Sequence, residues 1–150
     1  MLNRREMLSH SARVAALLAT VGLLPQAAQA AYNAPAFEIK TMAELIKSLG
    51  GGTPTESKDV TVTGPDIAEN GAVVPIAVTS KIPKTESISI MAEKNPFPLA
   101  ATFGIAASAD GYVSTRVKMG QTSDVWAVVK DDGKYFVAKK EIKITVGGCG

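Results

Sequence analysis

Apolar and polar positions follow three successive patterns along the chain. An apolar run covers Val14 to Leu24. A helical spacing follows at Met42, Leu45, Ile46 and Leu49, which places one apolar face at i, i+3, i+4 and i+7. Beyond this helix, apolar positions alternate with polar ones, which is typical of β-strands. The chain is therefore predicted to contain a leader, one short helix and a β-domain.

The predicted helix spans residues 42–49 and has recognisable signals at both ends. Thr41 followed by Glu44 forms a capping box, in which the threonine side chain caps the first turn. Three consecutive glycines at 50–52 end the helix, because glycine readily adopts the left-handed conformation found after helix C-termini.

Seven or eight short strands are predicted after the helix. Their signals lie at 59–63, 73–82, 87–91, 99–107, 112–118, 125–129, 135–139 and 142–146. Turn pairs such as Asn70-Gly71 and Asp132-Gly133 separate them. Apolar positions on both faces of the second and fourth runs indicate core or, alternatively, a partner interface. Strands at this spacing predict an all-β fold, an immunoglobulin-like antiparallel β-sandwich with a short N-terminal helix, with a small closed barrel as the structural alternative.

Residues 1–30 are predicted to be a twin-arginine signal peptide. The adjacent Arg4 and Arg5 precede the apolar run, which is too short to cross a membrane, since a spanning helix needs ~20 residues. Ala28-Gln29-Ala30 offers the small residues that a signal peptidase requires. An ordinary secretory signal is the alternative. Either signal predicts export, with a periplasmic β-domain over residues 31–145.

Charge and histidine content exclude several function classes. The formal net charge is +2, and the leader accounts for all of it through Arg4, Arg5 and Arg13 against Glu6. The neutral remainder has no basic patch for nucleic acid or an anionic membrane. The single histidine, His10, lies in the leader, so the exported domain lacks a histidine for a catalytic triad or a zinc cluster. We therefore predict no enzymatic activity, no resident cofactor, no metal site and no membrane span.

The only cysteine, Cys149, lies in the C-terminal segment 146–150, flanked by Gly147, Gly148 and Gly150. An unpaired cysteine in an exported protein indicates a reactive thiol or an intermolecular disulfide. Glycines leave the backbone thin and free to adopt many conformations, and four residues extend at most ~14 Å. This segment is therefore predicted to be a carrier arm that takes the thiol into the active sites of other proteins. The alternative is an exported structural or adhesion-type β-sandwich whose chains form a disulfide-linked dimer.

Several short motifs occur one after another along the chain. They are Ile67-Ala-Glu-Asn-Gly71, Val73-Val-Pro-Ile76, Ser114-Thr-Arg-Val117, Gln121-Thr122, Asp132-Gly133 and the terminal Val146-Gly-Gly-Cys-Gly150. Together with the twin-arginine leader, this series resembles the SoxY family, the substrate carriers of bacterial sulfur oxidation.

The resemblance implies that the sandwich pairs with a second, similar subunit, SoxZ, as a heterodimer. It implies that Cys149 is the covalent attachment site, with thiosulfate or a sulfane adduct as cargo. In that family a c-type haem enzyme, SoxAX, joins thiosulfate to the cysteine. SoxB then hydrolyses off sulfate, and a sulfane dehydrogenase or another acceptor takes the remaining sulfur. The resemblance thus predicts a periplasmic, non-catalytic carrier of thiosulfate oxidation.

Overall fold

A computed structural model of the protein describes residues 34–50 and 52–145. These residues form two helices and nine strands. In chain order they are α1 (Ala34–Glu38), α2 (Met42–Ser48), β1 (Thr55–Glu56), β2 (Val60–Thr63), β3 (Ile67–Ala68), β4 (Val74–Ser80), β5 (Thr85–Ala92), β6 (Leu99–Gly104), β7 (Tyr112–Val117), β8 (Ser123–Asp131) and β9 (Lys134–Ile144).

The strands form two sheets that pack face to face. The larger sheet has the order β1-β9-β8-β5-β6, with β3 also paired to β9, and the smaller sheet has the order β2-β4-β7. This confirms the predicted sandwich rather than the closed barrel. Most neighbouring strands are antiparallel, as predicted, but β1 and β3 each run parallel to β9. The alternation did not reveal these two strands, because each contains only two residues.

The main hydrophobic core lies between the two sheets. Along β4, Val74, Ile76 and Val78 are buried and face inward, while the residues between them are less buried. They pack in one cluster with Ile88 and Ile90 of β5. Alternate positions of a strand point to opposite faces, so this pattern fixes which side of each strand enters the core. The inward-facing positions of the run at 73–82 are thus core, the first of the two interpretations of that segment, whereas Val73 is exposed.

A second, smaller core lies on the outer face of the larger sheet. Leu45 of α2 and Ala36 of α1 pack there in one cluster with Met91, Val128 and Val137 of the sheet. The two helices therefore add a third layer outside the sandwich. Neither helix of the described residues is long and apolar enough to cross a membrane.

The helix prediction is confirmed almost to the residue. The Thr41 side chain accepts a hydrogen bond from the Glu44 amide, at 3.3 Å. Gly50 follows the helix with a φ of 83°, in the left-handed region. The hydroxyl of Tyr135 donates to the Leu49 carbonyl, which ties the end of α2 to the larger sheet. The five-residue helix α1 was not predicted, because it is too short to show a helical repeat.

The C-terminal hairpin differs from its prediction in one respect. Two strands were predicted, at 135–139 and 142–146, whereas β9 is a single strand of eleven residues. The charged sequence Lys139-Lys140-Glu141 interrupts the apolar alternation, but its backbone remains paired with β8. The predicted turn is confirmed, since Asp132 and Gly133 both have positive φ values, of 45° and 75°.

Candidate functional site

The residues predicted to form the carrier arm, Gly147, Gly148, Cys149 and Gly150, lie outside the described residues, as do Arg4 and Arg5 of the leader. The structure describes the strand that leads to the arm. The described chain ends at Thr145, four residues before the cysteine. The candidate site is therefore described from the end of β9, which precedes residues 146–150.

Hydrogen bonds hold the end of β9 on both sides. On one side, the amides of Lys143 and Thr145 donate to the carbonyls of Asp66 and Ala68 at 3.0 and 3.1 Å. On the other side, the amide of Ile144 donates to the Thr122 hydroxyl oxygen at 3.0 Å. Successive amides of a strand point to opposite edges, so β3 and Thr122 together fix the backbone from which the arm departs.

The turn between β3 and β4 packs directly against this strand end. The Met119 amide donates to the Gly71 carbonyl at 2.7 Å. A Cβ atom at Gly71 would lie 2.4 Å from the Met119 carbonyl oxygen and 3.1 Å from Cγ2 of Ile144. Asn70 shapes the turn by accepting a hydrogen bond from the Ala72 amide at 2.9 Å. Only glycine fits at position 71 with the present backbone.

Two loops at the same end of the sandwich are linked by side-chain amides. Asn95 donates through Nδ2 to the Lys118 carbonyl at 2.7 Å and accepts from the Gly120 amide at 3.2 Å. Gln121 donates through Nε2 to the Lys94 carbonyl at 3.1 Å. The β5–β6 and β7–β8 loops are therefore held together beside the origin of the arm.

An ion pair also connects β9 with the residue preceding β3. Lys140 Nζ lies 2.8 Å from Asp66 Oδ1. The hydrogen bond from Lys140, followed by its charge, holds the pKa of Asp66 below its usual value of 3.8. Because the folded state favours the ionised carboxylate, this pair stabilises the fold above the ordinary pKa and loses its effect as the pH falls through the lowered one.

We expect Lys140→Gln to lower the free energy of unfolding at neutral pH, and the deficit to disappear in acid well below pH 3.8. Urea unfolding of both proteins over this pH range measures the difference. Lys81→Gln is the control, since Lys81 is exposed and forms no ion pair within residues 34–50 and 52–145. A deficit that stays constant with pH would contradict the role given to Asp66.

A polar cluster occupies the outer face of the larger sheet. Trp126 donates through Nε1 to Glu93 Oε2 at 2.9 Å. Lys139 lies 4.9 Å from the centre of the same ring and 2.8 Å from Asp124 Oδ2. The hydrogen bond from Lys139 to Asp124, with the charge of that carboxylate, raises the pKa of Lys139. The cluster has no nucleophile, and no three potential metal ligands come together within the described ranges.

A pocket of about 610 Å³ lies between residues 80–86 and 105–111. At that end of the sandwich β4 ends at Ser80 and β9 begins at Lys134. Thr145 follows the other end of β9, so the pocket lies at the opposite end of the sandwich from Thr145.

Sequence reasoning proposed Cys149 as the candidate thiol, which lies outside the described residues, but missed the residues that hold the end of β9. Gly71 and Thr122 were noted only within motifs that carry the family resemblance, and Asn95 was not noted at all. For Gly71 and Thr122 the available signal was their occurrence in those motifs. Asn95 gave no signal, because a local pattern says nothing about hydrogen bonds between distant loops.

Comparison with known proteins provides an independent view. The sequence profile of a family described as "Sulfur oxidation protein SoxY" matches residues 46–149. A solved structure of the sulfur carrier protein SoxY from Chlorobium limicola f thiosulfatophilum is 34% identical, with a TM-score of 0.63, over 69% of this chain and 94% of that one. No curated protein sequence matches the chain. The family match spans more than half of the sequence and the structural match agrees with it, so the chain belongs to the SoxY family of sulfur oxidation proteins.

Proposed function

We propose that this protein is a periplasmic, non-catalytic sulfur carrier that holds thiosulfate and derived intermediates covalently on Cys149. The supporting observation is the fixed end of β9, where the Thr145 amide is hydrogen-bonded to Ala68 at 3.1 Å. From that point four residues place the thiol at most ~14 Å from the domain. Family membership supports the same role, since the Chlorobium protein is described as a sulfur carrier.

Loading the thiol and releasing sulfate require one thiol and two kinds of partner enzyme. A thiolate and a thiosulfate dianion join through a new S–S bond and release two electrons to a haem-containing oxidant, which gives the cysteine S-thiosulfonate. Hydrolysis then breaks the bond between the sulfane sulfur and the sulfonate. Water supplies the fourth oxygen of sulfate, two protons are released, and a persulfide remains on Cys149. The carrier itself provides only the sulfur atom and its position.

The proposed partners follow from family membership. A SoxZ-like subunit forms the heterodimer, a SoxAX-like haem enzyme loads the thiol, a SoxB-like hydrolase removes sulfate, and a sulfane dehydrogenase oxidises the remaining sulfur. The twin-arginine leader, with Arg4 and Arg5, delivers the chain to the periplasm where these enzymes meet it. The carrier needs no cofactor of its own.

Mass spectrometry of the C-terminal peptide tests the proposal. After incubation with thiosulfate and the haem enzyme, we expect wild-type protein to carry a thiosulfonate on Cys149 that a reductant removes. Cys149→Ser is expected to carry no adduct, because its hydroxyl cannot form the S–S bond. If the oxidised wild-type protein contains only a disulfide-linked dimer, the alternative of a structural β-sandwich replaces the carrier.

A further inference from the structure

Exposed apolar side chains are concentrated at the end of the sandwich where the arm begins. Of the four large hydrophobic residues exposed in the described part of the chain, Ile67, Val73 and Phe97 lie at that end, and Tyr112 lies at the other. Phe97 is 57% exposed. Single exposed apolar residues are ordinary on a protein surface. Ile67 lies beside β9 and Phe97 lies in the β5–β6 loop toward the other edge of the larger sheet, so the three residues are spread across one end of the sandwich. Exposed apolar groups that share one end of a domain are typical of an interaction surface.

Contacts connect these residues to the origin of the arm. The Ile144 amide donates a hydrogen bond to the Thr122 hydroxyl. The neighbouring Gln121 side chain donates one to the Lys94 carbonyl, in the loop that contains Phe97. On the other flank, Ile67 is in register with Lys143 of β9. Val73 follows the turn that packs against Ile144. We call Ile67, Val73, Phe97, Lys94 and Lys118 the arm-end rim.

The rim is a preformed surface. Asn95 bridges its two loops through bonds to the Lys118 carbonyl and the Gly120 amide. Lys94 is held from two directions, because its amide donates to the Ser123 hydroxyl at 3.0 Å and its carbonyl accepts from Gln121. A surface that is already ordered loses little conformational entropy when a partner binds.

The rim also carries positive charge. Lys94 and Lys118 are exposed, and neither forms an ion pair with a described residue. Of the nearby carboxylates, Asp66 is paired with Lys140 and Glu93 accepts a hydrogen bond from Trp126. Glu69, between Ile67 and Val73, is exposed and forms no ion pair with Lys94 or Lys118. The lysines are therefore available to carboxylates of another protein.

The length of the arm brings a partner onto this surface. Because Cys149 lies at most ~14 Å from Thr145, an enzyme that accepts the thiol in a recessed active site must place the mouth of that site close to the rim. Resting on the proposed role of Cys149, we propose that the arm-end rim is the docking surface for the enzyme that loads the thiol. On the enzyme, the surface around the mouth of the active site presents apolar side chains to Phe97 and carboxylates to Lys94 and Lys118.

The chain offers a matched pair of variants for the test. Phe97→Ala removes an exposed aromatic ring from the rim, and Tyr112→Ala removes one of similar exposure, 55%, from the opposite end. We expect Phe97→Ala to lower kcat/KM for adduct formation by the haem enzyme with thiosulfate by about tenfold, as for a central interface residue. Tyr112→Ala is expected to match wild type. Alkylation of Cys149 by iodoacetamide, which needs no docking, should proceed equally in all three proteins.

A second pair of variants tests the charges. Lys94→Gln with Lys118→Gln is expected to reduce the salt dependence of the enzymatic reaction. Lys81→Gln with Lys84→Gln, two exposed lysines at the opposite end, should leave it unchanged. Equal rates for the Phe97→Ala, Tyr112→Ala and wild-type proteins would overturn the docking surface while leaving the carrier role intact. Absence of any adduct on wild-type protein would overturn both.

Discussion

Replacing Ile142 by alanine is expected to lower the free energy of unfolding by about 2–5 kcal/mol. Ile142 is completely buried between the sheets, and its Cδ1 would lie 3.1 Å from a Cβ placed at Gly64. Removal of three carbons therefore leaves a cavity that the surrounding strands fill incompletely. Because Ile142 is also paired with Ser123 in the central hairpin, relaxation of β9 toward the cavity would disturb the ladder to β8.

Urea unfolding with Ile67→Ala as the control separates burial from residue type. Ile67 lies on β3 and is 58% exposed, so the same substitution there should change stability by no more than about 0.5 kcal/mol. Similar losses at both positions would mean that Ile142 does not contribute through the core. Equal m-values are expected for all three proteins, because the substitutions leave the surface exposed on unfolding nearly unchanged.

Elements specified by neighbouring residues were predictable. The α2 helix follows from the Thr41 cap and an apolar face that repeats within eight positions. The β8–β9 turn follows from Asp132-Gly133, since few other pairs accept two successive positive φ values. The long strands followed from alternation because one face of each enters the core between the sheets.

Elements specified by distant residues were not predictable. Ile67-Ala68 is too short for a period, and it becomes a strand only because β9, far along the chain, presents a free edge beside it. The continuity of β9 through Lys140 likewise comes from its partner β8 and not from its own apolar pattern. The sequence of one strand does not predict such pairing, because the stability of a strand depends on side chains of its partner as well as its own.

The same distinction applies to the candidate site. Cys149 could be proposed from composition alone, as the single thiol among glycines, and it stays a prediction. The residues that fix the base of the arm, such as Thr122 and Asn95, act through hydrogen bonds to other loops. A carrier needs both parts, because a thiol on a short arm reaches a reproducible position only if the arm starts from a fixed point.

Gly71→Ala is expected to disturb that fixed point and to lower the free energy of unfolding by roughly 1–3 kcal/mol, the usual cost of overpacking. The added methyl group would lie 2.4 Å from the Met119 carbonyl oxygen. This neighbour is backbone, and it cannot rotate away as a side chain can. The displacement would strain the bond between the Met119 amide and the Gly71 carbonyl and press on Ile144.

Gly120→Ala provides the matched control, since a Cβ there meets no atom within 4 Å, and neither glycine has a positive φ. Urea unfolding measures global stability, and amide hydrogen exchange at Ile144 and Thr145 measures the base of the arm. We expect Gly71→Ala to speed exchange at these two amides, whose acceptors are Thr122 and Ala68, and Gly120→Ala to leave it unchanged. If the two variants exchange alike, the turn at Gly71 does not hold the strand end, and Thr122 with β3 must fix the arm without it.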